Sequence, residues 1–373
     1  MQFKDVIGQE AVKQKLQAVV ASNRISQAYL FSGDKGVGKL ALAISFAQYI
    51  MCTDKKSGDS CGHCPSCKKY AKLEHPDCHF VLPVVKKGSS TMITDNVVNH
   101  FRERVLQSPY LDLTDWWNLI GDGKKEGMIY KEESENIAHK ISLKSYESDY
   151  KVMIIWHPEL MNLTCANKIL KTLEEPPEKT VFLLVTDDTS NIIDTIYSRT
   201  QKLVVPNLAE ETIVSSLVNK YKISKDDALT HARTSSGSWL RASRLVEVSE
   251  LTETNFEQFV FLMRTCWARK VLDLISWSKE ISSYGRERQK SFLEYAVKMV
   301  RESFMNNLND ESLVFASKRE KEFMQRFSPF INEDNLIFIY SELNRAYADV
   351  IRNGNPKLIF LDLSLKLVKV IRP

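Results

Sequence analysis

Apolar residues are spaced in two rhythms along this chain. In the first 206 residues, short and nearly continuous apolar runs alternate with longer stretches of helical periodicity. Ala28–Ser32, Tyr150–Trp156 and Thr180–Thr186 are the runs, and near-unbroken hydrophobicity is the pattern of strands buried on both faces of a parallel sheet. Gln9–Val20 carries apolar residues at helical spacing, and Lys39–Met51 is rich in Ala and Leu with no breaker. Glu159–Glu174 reads as a helix ended by Pro176-Pro177. From Asn207 onward strand-like runs nearly vanish and helical periodicity dominates, interrupted at Thr234–Ser238. Asn355-Pro356 places a capping residue and a first-turn proline before a final helix, Lys357–Ile371. Leu358, Leu361, Leu365 and Val368 are expected to form its packing face rather than a membrane anchor.

Residues 80–130 break the α/β rhythm. Lysines and glycines at Lys86–Ser90 and Gly121–Gly127 flank an aromatic-containing stretch, which reads as an insertion. Its Phe101, Tyr110, Trp116 and Trp117 are expected to form a small core in preference to a base-stacking platform. The acidic pairs Glu132-Glu133 and Asp187-Asp188 stand at element borders, where charged pairs are usually solvated.

The length of 373 residues implies two or three domains, and 43% hydrophobic with 26% charged residues excludes a disordered or fibrous chain. A net charge of +4 is too small to imply a nucleic-acid-coating surface, and the whole excess falls in residues 261–373. No apolar stretch approaches ~18 residues and the start carries no leader pattern, so a soluble, cytoplasmic protein without a membrane association is expected.

Gly33-Asp-Lys-Gly-Val-Gly-Lys39 matches G-x-x-x-x-G-K between a strand and a helix. In such a loop Gly33, Gly36 and Gly38 let backbone N–H groups converge on phosphate oxygens, and Lys39 reaches the terminal phosphates. The next position calls for Ser or Thr as a magnesium ligand, and here it is Leu40. The strand ending at Trp156-His157 holds neither the acid that would carry magnesium nor its glutamate neighbour, and Pro158 constrains any compensation by Glu159. If each missing group normally contributes a few kcal/mol, their joint loss slows hydrolysis by several decades. Magnesium is therefore not expected, and whether ATP or ADP still occupies the loop is left open, as is whether Lys39 holds a phosphate or merely closes the loop.

Cys52, Cys61, Cys64 and Cys67 form C-x8-C-x2-C-x2-C. Four thiolates make a closed tetrahedral site, so structural zinc is the expected metal; a redox Cys-x-x-Cys pair and fortuitous core cysteines are the alternatives. His63, His75, Cys78 and His79 lie nearby and could join the ligand set.

The run Asn167-Lys-Ile-Leu-Lys-Thr-Leu-Glu-Glu-Pro-Pro177 resembles the N-x-L-L-K-x-L-E-E-P-P run of the AAA+ subunits of bacterial DNA polymerase III clamp loaders. Phe3–Gln9, Ala28–Phe31, Ser198-Arg199-Thr200 and Asn355–Leu358 are similar to further family motifs, so the likeness covers most of the chain. It implies an α/β P-loop core over residues 1–206, enlarged by the zinc loop (52–67) and the insertion, then an all-α lid (207–255) and an all-α collar (256–373). It also implies that Arg199, in the family's Ser-Arg-Cys position, is an arginine finger acting on a nucleotide held by an adjacent subunit. Thr186 matches the first nucleotide-sensing position, and the four cysteines fall where the family has a zinc module. Gly237–Ala242 resembles G-S-x-R-x-A but puts Leu240 at the sensing arginine, with Arg241 one place late.

These departures resemble the delta-prime branch of the family, whose ATP sites are degraded. The resemblance implies a non-hydrolysing component of the polymerase III holoenzyme, with delta-type and gamma/tau-type subunits, the sliding clamp and primer-template DNA as partners. The competing expectations are an ATP-hydrolysing clamp-loader motor, or another P-loop ATPase or transferase, that uses Lys39 with Glu159 rescuing the magnesium site, and a zinc-dependent DNA-binding module.

Overall fold

A computed structural model describes residues 1–56, 58–86, 92–121, 125–307 and 317–371. Parts of the lysine- and glycine-bearing flanks of the insertion (87–91 and 122–124) and one residue of the cysteine loop (57) lie outside the described residues. The chain falls into two compact units, Met1–Val246 and Glu247–Pro373.

The first unit is built on five strands: β1 (Ala28–Ser32), β2 (Cys78–Val81), β3 (Lys151–Trp156), β4 (Thr180–Thr186) and β5 (Gln201–Val204). They lie in the order β2-β3-β4-β1-β5 with every neighbouring pair parallel. The helices are α1 (Glu10–Ala21), α2 (Lys39–Met51), α3 (Pro65–Tyr70), α4 (Val98–Gln107), α5 (Leu113–Ile120), α6 (Lys131–Ser142), α7 (Leu163–Glu174), α8 (Asp194–Ser198), α9 (Glu210–Tyr221), α10 (Lys225–Ser235) and α11 (Trp239–Trp267). The unit boundary falls within α11.

The predicted strands match β1, β3 and β4 closely, because period-2 side chains feed two apolar layers. Tyr29, Phe31, Val152, Ile154, Val181 and Leu183 enter one layer with α2, and Leu30, Met153, Ile155, Phe182 and Leu184 enter the other with α6 and α7. Every residue of α2 is buried, as an all-round apolar helix requires. The short strands β2 and β5 are additions to the sequence reading. Lys151, buried at the start of β3, donates to the carbonyls of Lys140 (2.9 Å), Ile141 (3.2 Å) and Leu143, closing the C-terminal end of α6.

The insertion packs on β3. Phe101 of α4 and Trp116 of α5 lie with ring centroids 5.7 and 6.1 Å from Trp156, and Trp116 Nε1 donates to the Pro83 carbonyl at 2.8 Å. These aromatics are core, as expected. The acidic pair Glu132-Glu133 departs from expectation: Glu133 is buried, accepting from the Thr94 N–H at 2.6 Å and from Asn136 Nδ2 at 3.0 Å.

The second unit comprises the rest of α11 with α12 (Val271–Ser283), α13 (Arg286–Asn306), α14 (Lys318–Phe327), α15 (Glu333–Ile351) and α16 (Pro356–Ile371). Its core gathers Phe259, Trp277, Phe292, Leu343 and Phe360. The face of α16 that packs is rotated from the expected one. Phe360, Leu363, Leu367 and Ile371 are buried, whereas Leu358 and Leu365 are exposed. The helix is apolar nearly all round, so its period alone admits either stripe.

Candidate functional site

The carboxyl ends of β1, β3 and β4 converge, since Ser32 is in register with Thr186 and Trp156 with Val185. In parallel α/β sheets this edge is where ligands bind. The loop between β1 and α2 turns there through three glycines with positive φ: Gly33 (149°), Gly36 (79°) and Gly38 (101°). A Cβ at Gly33 would stand 2.2 Å from the Val205 carbonyl oxygen, and one at Gly36 would stand 2.4 Å from Ser238 Oγ. Glycine is thus required at both positions. As in any helix, the leading N–H groups of α2 have no intrahelical acceptor.

The loop is engaged by its own chain. Lys39, buried at the start of α2, donates to the Gly33 carbonyl (2.7 Å) and the Asp34 carbonyl, and its ammonium lies 2.7 Å from Asp187 Oδ1. Three donors therefore meet three acceptors. Asp187 was expected to be solvated; it follows Thr186, and the Ser32–Thr186 register carries it to the mouth of the loop. Thr186 is fully buried, its hydroxyl donating to the Asp188 carbonyl (2.8 Å) and accepting from the Asp188 N–H (3.0 Å), so this side chain shapes the turn after β4.

Other segments of the first unit cover the loop. Ser238 Oγ donates to the Lys35 carbonyl at 2.8 Å, and Asn207 Nδ2 donates to Asp34 Oδ2 at 2.9 Å. Tyr110, from the insertion, lies against Gly38, where an added Cβ would be 3.1 Å from its ring, and its hydroxyl accepts from the Ile7 N–H at 2.9 Å. Burial pushes the Tyr110 phenol up to about 12. Leu40 and Leu240 are buried, whereas Arg241 is exposed. One turn beyond Leu240, Arg244 pairs with Asp112 (2.9 Å) and Asp115 (2.7 Å) of the insertion. The spacing of four residues from Leu240 could have singled out Arg244, but nothing in the local pattern pointed to its partners.

At the end of β3, Trp156 is committed to the aromatic core. His157 takes a left-handed backbone (φ 57°), and its Nδ1 lies 2.7 Å from Glu159 Oε1. Glu159 therefore sits on the 3-10 turn Pro158–Leu160, joined to the histidine.

Arg199 follows α8. Its Nη2 is 2.6 Å from Glu174 Oε1, its Nη1 donates to the Thr195 carbonyl at 3.1 Å, and its side chain is 38% exposed.

The sulfurs of Cys52, Cys61, Cys64 and Cys67 all lie within 4.8 Å of one another, with Cys61 and Cys67 at 4.0 Å. A tetrahedron with Zn–S bonds of ~2.3 Å has edges of about 3.8 Å, so the donor set fits zinc. Backbone N–H groups approach the sulfurs: Cys61 to Cys52 and Cys64 to Cys61 at 3.2 Å, and Cys67 to Cys64 at 3.4 Å. Against burial, which raises it, hydrogen bonds from Cys67 and Thr53 bring the Cys64 thiol down to about 6, whereas burial pushes the neighbouring Cys52 and Cys67 thiols up. His63 Nε2 lies 3.2 Å from Asp54, and these two with Cys61 form a second group whose ligand atoms are within 4.8 Å of one another.

No helix among the described residues is long and apolar enough to cross a membrane. The chain is 29% identical over 212 residues to DNA polymerase III subunit delta' of Bacillus subtilis, covering 57% of this chain and 52% of that one. It is 28% identical over 215 residues to subunit tau of the same organism, covering 58% and 31%. The matches thus span about half or less of those relatives. A DNA polymerase III gamma-subunit-related protein of Thermotoga maritima aligns over 96% of this chain and 99% of its own, at 14% identity and a TM-score of 0.35, too distant to carry an argument. Residues 8–209, more than half of the chain, match the family described as DNA polymerase III, delta subunit, so this protein belongs to that family, as a delta-prime-like member of the clamp-loader AAA+ subunits.

Proposed function

We propose that this protein is a non-hydrolysing clamp-loader subunit that supplies Arg199 in trans to a nucleotide bound by a neighbouring gamma/tau-type subunit. In that role it assists, with a delta-type subunit, in loading the sliding clamp onto primer-template DNA. The observation that carries the reading is the engagement of Lys39 by Gly33, Asp34 and Asp187, which uses the lysine internally. Leu40 and Trp156, apolar where magnesium ligands would stand, support it. Gly33, Gly36, Gly38, Lys39 and Thr186 then form a vestigial nucleotide loop that holds the β1–α2 connection and its neighbours in place.

A guanidinium acting in trans neutralises charge that grows on the transferring phosphoryl group, and fixing it on a short helix end lowers the entropy lost in placing it. Cys52, Cys61, Cys64 and Cys67 would hold a structural zinc, which supplies no reaction chemistry and ties the polar loop after α2 to the first unit. We propose further that residues 207–255 act as the lid and 256–373 as the collar through which the subunits associate. That α9 and α10 share the first unit's apolar layer is consistent with a lid closed on the core.

The test has two arms. The isolated chain is expected to show no magnesium-dependent ATP turnover above background; robust turnover abolished by Lys39→Ala would reject the reading in favour of a motor. Mixed with the gamma/tau-type and delta-type subunits, the wild-type chain and Arg199→Ala should assemble equally, and only the wild type should stimulate hydrolysis.

A further inference from the structure

The run Asn167–Pro177, which resembles the family's N-x-L-L-K-x-L-E-E-P-P run, has no part in the function as proposed so far. Its last helical residue, Glu174, meets Arg199. The two are remote in sequence and come together because α7 and α8 pack against each other. Glu174 ends α7, Glu175 is the C-cap, and Pro176-Pro177 prevents the helix from running on. Two consecutive carboxylates thus stand at the negative end of the helix dipole, where acidic groups are unfavourable unless a cation answers them. Arg199 answers Glu174 at 2.6 Å.

The guanidinium is held from two directions. Glu174 takes Nη2 from the end of α7, and the Thr195 carbonyl takes Nη1 from within α8, so two of its five N–H groups fix its plane and three remain for a ligand. Pro176-Pro177 fixes where α7 stops, and so fixes the carboxylate that orients the arginine. We infer that Glu174 is a positioning residue for Arg199, holding the guanidinium in the orientation in which it meets the neighbouring subunit's phosphate. The inference rests on the trans-acting arginine proposed above. It assigns the Glu-Glu-Pro-Pro stretch a physical role: a rigid helix stop that presents a carboxylate to the finger.

The experiment uses the assembled complex with gamma/tau-type and delta-type subunits, and reads the increment in ATP turnover that this chain adds, resolved into kcat and KM. Arg199→Ala should abolish the increment, since arginine fingers contribute about 1,000-fold or more. Glu174→Ala should lower its kcat about tenfold with little change in KM, because misplacement of a group acting only in the transition state falls on kcat. Glu174→Gln, which keeps an acceptor oxygen for Nη2, should recover kcat to within about threefold. Size-exclusion chromatography should show assembly unchanged in all three. Full activity of Glu174→Ala beside an inactive Arg199→Ala would overturn the positioning role and leave the finger standing. Full activity of Arg199→Ala would overturn both. Loss of assembly with Glu174→Ala and Glu174→Gln alike would make Glu174 structural and also overturn the inference.

Discussion

Lys39 and Asp187 form a closed ion pair at the mouth of the glycine loop, the Nζ–Oδ1 distance being 2.7 Å, with side-chain exposures of 4% and 16%. The pair joins the start of α2 to the turn after β4. It places an acidic group where a phosphate-binding loop would otherwise offer its lysine to an anion.

Breaking that pair leaves a charge in a poorly solvated place. Lys39→Met keeps most of the side-chain stem but strands Asp187, and is expected to destabilise the first unit by about 3 kcal/mol. Urea denaturation of the variant and of Lys39→Met/Asp187→Asn, which removes both charges, checks this; the double variant should recover part of the loss. Stimulated ATP turnover in the assembled complex should not fall with Lys39→Met.

The Trp156 ring lies in the aromatic cluster with Phe101 and Trp116, and on the function proposed above it occupies the place of an acidic magnesium group. Trp116→Ala should cost about 3–5 kcal/mol in equilibrium unfolding, through lost burial and the cavity left behind. Trp156→Asp is expected to cost at least as much, since it adds a buried carboxylate, and to restore no ATP turnover.

Metal analysis of the purified chain should find about one zinc per molecule, and Cys64→Ser should bring this close to zero. Chelation should expose residues 52–67 to proteolysis while the sheet persists, because the four cysteines form a cluster separate from the main apolar layers. A zinc content unchanged by Cys64→Ser would remove this cysteine from the ligand set.

His79, on β2, is lowered to about 4 by burial and by the ammonium groups of Lys140 and Lys151. The unfolded chain takes up this proton near pH 6.5, whereas the folded chain takes it up only near 4. The contribution is therefore complete above about pH 6.5 and lost as the pH falls toward 4, with a slope of up to about 1.4 kcal/mol per pH unit. His75, also lowered by burial, adds to the same window. His79→Gln should flatten the dependence by about one proton, measurable from urea midpoints between pH 4.5 and 7.

Much of the first unit was legible because its signals are local. β1, α2 and β4 start and stop where the apolar runs and the glycines place them, since strands buried on both faces need near-continuous hydrophobicity. β2 and β5 escaped because four residues are too few to show a period, and β5 lies mostly exposed at a sheet edge. The four cysteines and the glycine loop were likewise visible as spacings. Asp187, Arg244 and Glu174 were not, because each draws its meaning from a partner remote in the chain.

The sequence by itself determined the strand–loop–helix unit, the tetrad of thiols and the identities of Leu40, Trp156 and His157, all matters of residue type at short range. The tertiary structure alone decided that Lys39 turns to Asp187, that Tyr110 and Ser238 lie against the glycine loop, and that Arg199 is held by Glu174. The reason is physical. Backbone conformation and apolar period are set by neighbours a few residues apart, whereas the partner of a charge is set by which element ends the packing of the sheet brings within about 3 Å.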